Sequence, residues 1–164
     1  ISESMTESYS TIPHFSYFEE VDITQLEDLR VHLNSTKSDT QPKLTYLPFI
    51  MQALVKALGE NPVCNALFDD EKGVVTRHEA IHLGIATQTD RGLYVPVVKH
   101  VEAKDVWESA DAVDTPVVRN GQIVIRKMLR LSSSWDHRVV DGYDGAVLVQ
   151  RLKTLLENPA TIFM

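Results

Sequence analysis

The ten residues SSWDHRVVDG, Ser133 to Gly142, bring two aspartates, an arginine and a histidine together. Of these residue types, histidine is the one whose ordinary charge change falls near neutral pH, so His137 is the candidate for proton transfer. An imidazole with a fixed orientation can take a proton from a thiol or hydroxyl nucleophile and return it to a leaving group. Asp136 and Asp141 can pair with Arg138 or with arginines elsewhere, which would hold the turn rigid. Gly142 allows a special backbone angle or the close approach of another segment. Asp141 is also placed to favour a following helix through the positive end of its dipole. A salt-bridged turn with an incidental histidine needs the same residues, and an isolated Asp-His-Arg triplet is more often that.

Other candidates for chemistry are weaker. Ser132, Ser133 and Ser134 lack the Gly-x-Ser-x-Gly elbow of a serine nucleophile. The remaining histidines (His14, His32, His78, His82, His100) are scattered, with no pair at metal-ligand spacing and a third ligand nearby, so no metal site is expected. Gly84 and Gly92 do not form a phosphate loop. Cys64 is the only cysteine, which rules out an internal disulfide and fits a reducing, intracellular setting. Its neighbour Val63 points to a small core residue more than to a nucleophile.

The elements around the motif must position it. A strand is predicted from His14 to Ile23. Thr24-Gln25-Leu26-Glu27 has capping-box spacing, and Leu26, Leu29 and Leu33 carry a helix to about Asn34. A second helix runs from Leu47 to Leu58, with Pro48 in its first turn and Gly59 as its stop. Strand texture follows. Asp69 to Gly73 and Asp90-Arg91-Gly92 read as turns, the stretches 80–87 and 93–98 as strands, and Pro96 marks the second as an edge. Residues 104–110 read as a short helix. Asn120-Gly121 is a hairpin signal between Val117-Val118 and Ile123 to Ile125. A long strand with Ile123, Ile125, Leu129, Leu131 and Ser133 on one face then delivers the chain to Trp135. Ala146, Val149, Leu152, Leu155 and Leu156 give the closing helix, stopped by Asn158-Pro159. The class is α+β, a mostly antiparallel or mixed sheet with helices packed on one face. Residues 1–11 are polar and read as a linker or arm, and 12–164 as one domain.

Composition narrows the function. Of 164 residues, 43% are hydrophobic and 24% charged, as in ordinary globular domains. No apolar run approaches the roughly 18 residues of a membrane span, and the first residues lack the layout of a secretory signal. The net charge of -7 and the absence of a basic stripe argue against nucleic acid. The densest basic stretch, Arg119 to Arg130 with Arg126 and Lys127, reads as a solvated strand face.

Asp136-His137-Arg138-Val139-Val140-Asp141-Gly142 resembles the D-H-R-x-x-D-G signature of the catalytic (core) domain of 2-oxo acid dehydrogenase acyltransferases, the E2 components. Other blocks agree in order: TIPHFSYFEEVDITQLEDLR, KLTYLPFIMQALVKAL, NPVCNALFDD (with Leu67 at the usual serine position), HLGIATQTDRGLYVPVVK and LENPATIFM. The resemblance implies a chloramphenicol-acetyltransferase-like fold. It implies acyl transfer between the dihydrolipoyl thiol of a lipoyl domain and coenzyme A, with His137 as general base and Asp141 part of the site. It also implies a homotrimer with its site at a subunit interface, assembling into a larger hollow core that works with lipoyl domains and the E1 and E3 components. A cytoplasmic or mitochondrial-matrix location follows from it. The resemblance fixes no coenzyme A contacts, and the Arg119 to Arg130 stretch is the candidate for its phosphates. The segment IPHFSYFEEVDIT leans toward the branched-chain members. No stretch resembles a lipoyl domain, so the lipoyl group is expected on a separate domain, tethered through a linker that residues 1–11 would end.

The resemblance breaks between about Ala110 and Thr115. Family members carry there an extra segment that supplies the hydroxyl donor to the tetrahedral oxyanion, a contact often worth about 3 kcal/mol of barrier. An omitted disordered loop, a deletion, and a divergent relative that has lost activity are the three origins of such a junction. The first is favoured because both flanks match. Under the others the chain would be a catalytically silent oligomeric scaffold.

Overall fold

The computed structural model describes residues 2–89, 92–112 and 127–164. In chain order they form α1 (Ser2–Thr11), β1 (His14–Asp22), α2 (Thr24–Thr36), α3 (Leu47–Glu60), β2 (Ala66–Asp69), β3 (Val74–Arg77), β4 (Leu83–Gly84), β5 (Thr87–Thr89), β6 (Gly92–Tyr94), β7 (Val97–Val98), α4 (Val106–Asp111), β8 (Met128–Asp136) and α5 (Gly142–Glu157). The α+β class stands. The described strands form four antiparallel pairs, β1–β8, β2–β3, β4–β7 and β5–β6, the antiparallel alternative of the expected sheet, with no parallel pair among the described residues. The Asn120-Gly121 hairpin, its flanking strands, Asp90-Arg91, Arg119 and Arg126 lie outside the described residues.

The β1–β8 ribbon is the platform of the site. Its nine pairs run from His14 opposite Asp136 to Asp22 opposite Met128. Period-2 alternation turns Phe15, Tyr17 and Val21 inward with Leu129, Leu131 and Trp135, and leaves His14, Phe18, Met128 and Ser132 outside. Helix α5 lies on β1 and against α3. Its buried residues Gly145, Leu148, Val149, Leu152, Leu155 and Leu156 recur at helical spacing. Of these, Leu148, Leu152, Leu155 and Leu156 pack in one core with Leu26, Phe49, Ala53 and Ala57. Each fully buried aliphatic or aromatic side chain there contributes about 1.5–3 kcal/mol.

Several local expectations differ from the structure. Residues 2–11 are helical, with the Ser10 and Thr11 hydroxyls donating to the Glu7 carbonyl. The Thr24 capping box does not form. Thr24 instead donates its N–H and its hydroxyl to Asp22, at 3.1 and 2.6 Å. The Glu27 carboxylate is taken by Arg30 at 2.6 Å, by the Tyr46 hydroxyl at 2.7 Å, and by Lys127. A complete capping box stands at Asp105 and Glu108 instead. Gly59 does not stop α3, which ends at Asn61, whose N–H reaches the carbonyls of Ala57 and Leu58.

The Glu27 cluster sets an acid limit. Hydrogen bonding from Arg30, then from Lys127 and Tyr46, holds the Glu27 carboxyl at about 2 against its ordinary 4.5, over an opposing effect of burial. A folded-state value below the unfolded one means stability fully present above the ordinary value and lost as pH falls toward about 2. Urea unfolding across that window should show a falling midpoint, and Glu27→Gln should make the fall shallower. An unchanged slope in that variant would remove the cluster from the acid transition.

Candidate active site

The motif occupies the junction where β8 ends and α5 begins. Asp136 closes the strand, and its carbonyl accepts the N–H groups of Val139 and Val140, both at 3.0 Å. Its carboxylate accepts the Arg138 N–H at 2.9 Å, so the turn is tied by backbone and side chain at once. The Arg138 guanidinium then grips the same carboxylate as a fork, Nε at 2.9 and 3.1 Å and Nη2 at 2.7 Å. Such bidentate charged pairs fix direction as well as distance. Arg138 holds Asp136 below the usual carboxylate range, and Asp136 with Asp70 pushes the guanidinium up. The expected bracing of the turn by Asp136 and Arg138 is therefore observed.

Two further contacts come from the β2–β3 hairpin. Arg138 Nη1 donates to Asp70, and the guanidinium lies over the Phe68 ring, 4.9 Å from its centre. Neither partner was marked as a site residue by sequence reasoning. Asp70 was legible only as part of a turn, and it lies 68 positions from Arg138.

His137 itself is exposed. Its N–H donates to the Pro13 carbonyl at 3.0 Å, which ties it to the chain just ahead of β1. Its ring meets Phe15, with centres 4.7 Å apart and planes tilted by 54°. Val140, buried, anchors the far side of the turn.

Asp141 acts as the N-cap of α5. Its carboxylate accepts the Asp144 N–H at 2.8 Å. Among the described residues it shares no hydrogen bond with His137 or Arg138. Gly142 fulfils neither reason given for it: its φ is not positive, and a Cβ there would meet nothing within 4 Å.

The other candidates stay apart from this turn. Cys64 is half-buried against the core, and burial pushes its thiol up to about 11, away from nucleophile chemistry. In the basic stretch, Lys127 pairs with Glu27 and Arg130 with Glu20. The three serines lie along β8, where Ser133 Oγ donates to the Tyr17 carbonyl.

The sequence profile described as 2-oxoacid dehydrogenases acyltransferase (catalytic domain) matches residues 1–115 and 108–164. The chain belongs to this family. It is 40% identical to the lipoamide acyltransferase component of a branched-chain alpha-keto acid dehydrogenase complex from Pseudomonas aeruginosa, over 217 aligned positions covering 100% of the chain and 51% of that protein. It is 30% identical to the dihydrolipoyllysine-residue acetyltransferase component of a pyruvate dehydrogenase complex from Staphylococcus epidermidis, again over 100% of the chain and 50% of the relative. The chain thus spans about half the length of the curated relatives it matches. Among solved structures of this family, the cubic core of a pyruvate dehydrogenase multienzyme complex superposes with a TM-score of 0.85 at 27% identity, covering 99% of this chain and 89% of that one. An Azotobacter vinelandii dihydrolipoamide acetyltransferase, in which the catalytic roles of a serine, a histidine and an asparagine were investigated, gives 0.85 at 28% identity with the same coverages. Chloramphenicol acetyltransferase, at 11% identity and TM-score 0.59 over 94% of each chain, shows the shared fold.

The cap role of Asp141 is testable separately from any chemistry. Asp141→Ala should lower unfolding stability by about 1 kcal/mol, the usual cost of a lost N-cap, and Asp141→Asn should retain most of it. Equal stability of wild type and the alanine variant in denaturant titration would contradict that role.

Proposed function

We propose that this chain is the acyltransferase core of a 2-oxo acid dehydrogenase complex and that His137 is its general base. The observation that carries the reading is the histidine on a turn tied at both ends, inside the family's signature. In the proposed reaction His137 takes the proton of the attacking thiol, that of coenzyme A in one direction. The thiolate sulfur forms a bond to the thioester carbonyl carbon, and the carbonyl electrons move to oxygen. Collapse breaks the bond to the dihydrolipoyl sulfur, which takes the proton back from the imidazolium. The exposure of His137 in the single chain supports a site completed by further copies, hence a trimer within a larger core. A 40% match to a branched-chain relative against 30% to an acetyltransferase favours a branched acyl group.

The histidine and asparagine probed in the Azotobacter protein are four positions apart, as are His137 and Asp141. We infer from that spacing that Asp141 stands at the asparagine's place and has a second role at the site besides its cap on α5. The probed serine lies further ahead of its histidine than residues 108–115 lie ahead of His137. The profile match divides at 108–115, and the alignments run over 217 positions for a chain of 164 residues. We therefore place that serine's counterpart in a stretch the relatives have and this chain lacks. That observation favours a second reading, a catalytically silent scaffold of the same fold.

Transfer of an isobutyryl or acetyl group between dihydrolipoamide and coenzyme A separates the two. The enzyme reading expects transfer by the wild type, faster for the branched acyl group. It expects His137→Ala to lower the rate by at least about a hundredfold, with the oligomer's sedimentation unchanged. Near-full transfer in that variant would falsify the base assignment. An assembled wild type that transfers nothing would establish the scaffold.

A further inference from the structure

A general base must be free to receive a proton, yet its ring must be held in one direction. Among the described residues the His137 ring makes no hydrogen bond, and the ring contact it has is with Phe15. Phe15 is tightly seated. It stands directly opposite Trp135 in the β1–β8 ladder. Across from it lies Gly145 of α5, where a Cβ would fall 3.1 Å from Phe15 Cζ, 3.3 Å from its Cε2 and 3.3 Å from Trp135 Nε1. A methyl group at that position would therefore push on the far edge of the Phe15 ring. Trp135 is itself fixed, donating from Nε1 to Ser133 Oγ at 3.0 Å, which donates to the Tyr17 carbonyl at 3.1 Å. The backbone N–H of His137 is held by Pro13, two residues before Phe15. Backbone and ring of His137 are thus both referenced to the start of β1.

We propose that Phe15, seated by Gly145 and Trp135, is a positioning residue that sets the direction of the His137 ring. The inference rests on the general-base reading of His137. The absence of a side chain at Gly145 is then a requirement of the site and not only of helix packing. The Phe15 contact restrains the imidazole without occupying either ring nitrogen, which a hydrogen-bonding support would do.

Two variants test this from opposite sides. Phe15→Leu removes the aromatic ring, whereas Gly145→Ala keeps it and displaces it. In protein carrying isotope-labelled histidine, the His137 ring signal is identified by its loss in His137→Ala. It should move in both variants through the altered ring current, while the signals of distant histidines stay. In the transfer assay each variant should lower kcat by about tenfold or more, the scale on which a misplaced reacting group acts, with KM for both thiol substrates unchanged. In a His137→Ala background neither should cause further loss, because the effect is exerted through the imidazole. A His137 signal that moves in neither variant overturns the proposal. So does an unchanged kcat where the signal moves, or a loss that persists in the His137→Ala background. If His137→Ala does not slow the wild type, the general-base reading fails and the catalytic role of Phe15 falls with it. The histidine signal then still tells whether Phe15 seats the ring, so the two failures are separable.

Discussion

The site depends on one constraint, the fork of Arg138 on Asp136 across two positions of chain. A strand must end and a helix that packs back on it must begin within five residues, 137–141. Without a tie, those residues would sample many conformations, and ordering each would cost about 1–2 kcal/mol of backbone entropy. The Asp136 carbonyl and carboxylate together accept three backbone N–H groups of the turn. Arg138 then orients that carboxylate and is itself oriented by Phe68 and Asp70. The guanidinium keeps its charge at every practical pH. The state of this tie is therefore governed by the carboxyl groups, and the Arg138 guanidinium holds that of Asp136 below its ordinary value.

A division of labour follows from that arrangement. The residues on either side of His137 are the most heavily bonded polar groups of the turn, and the imidazole between them is left free of hydrogen bonds among the described residues. Asp141 serves α5 by capping its first turn. Fixing the neighbours instead of the imidazole leaves both ring nitrogens without a hydrogen bond among the described residues, as the proposed base would require. The tilted Phe15 ring is the contact proposed to give direction where a hydrogen bond would occupy a ring nitrogen.

What could be read from sequence was what is local. Helices α3 and α5 follow from apolar spacing of three and four. The brace of Asp136 and Arg138 follows from their two-position separation, and the alternation of β1 from its period of two. The failures have a common physical source, which is competition from distant partners. Glu27 was the expected half of a capping box, yet Arg30, Tyr46 and Lys127 offer it stronger charged or hydroxyl donors than a backbone N–H. Gly142 reads as a site of backbone freedom or close approach, whereas next to the turn it is Gly145, one turn into α5, that admits a close neighbour. Phe15, Phe68 and Asp70 reach the turn only through the pairing of β1 with β8 and the position of the β2–β3 hairpin. No spacing rule along the chain connects them to His137.

The flanks of the stretch where the family match divides are anchored independently of one another. Ahead of it, α4 carries its own capping box, and its buried Ser109 accepts a hydrogen bond from Gln52 of α3 at 2.9 Å. Behind it, the Lys127 carbonyl accepts the Ile23 N–H at 2.8 Å and its ammonium pairs with Glu27, so β8 is registered on β1 from its first residues. Loop closure between two fixed ends depends only weakly on the length of chain between them. A change of length between α4 and β8 therefore leaves the supports of His137 standing. The scaffold and the proposed base are thus set by one group of contacts, none of which lies in the stretch between α4 and Lys127. A chain of this family can keep that group whole while the stretch varies.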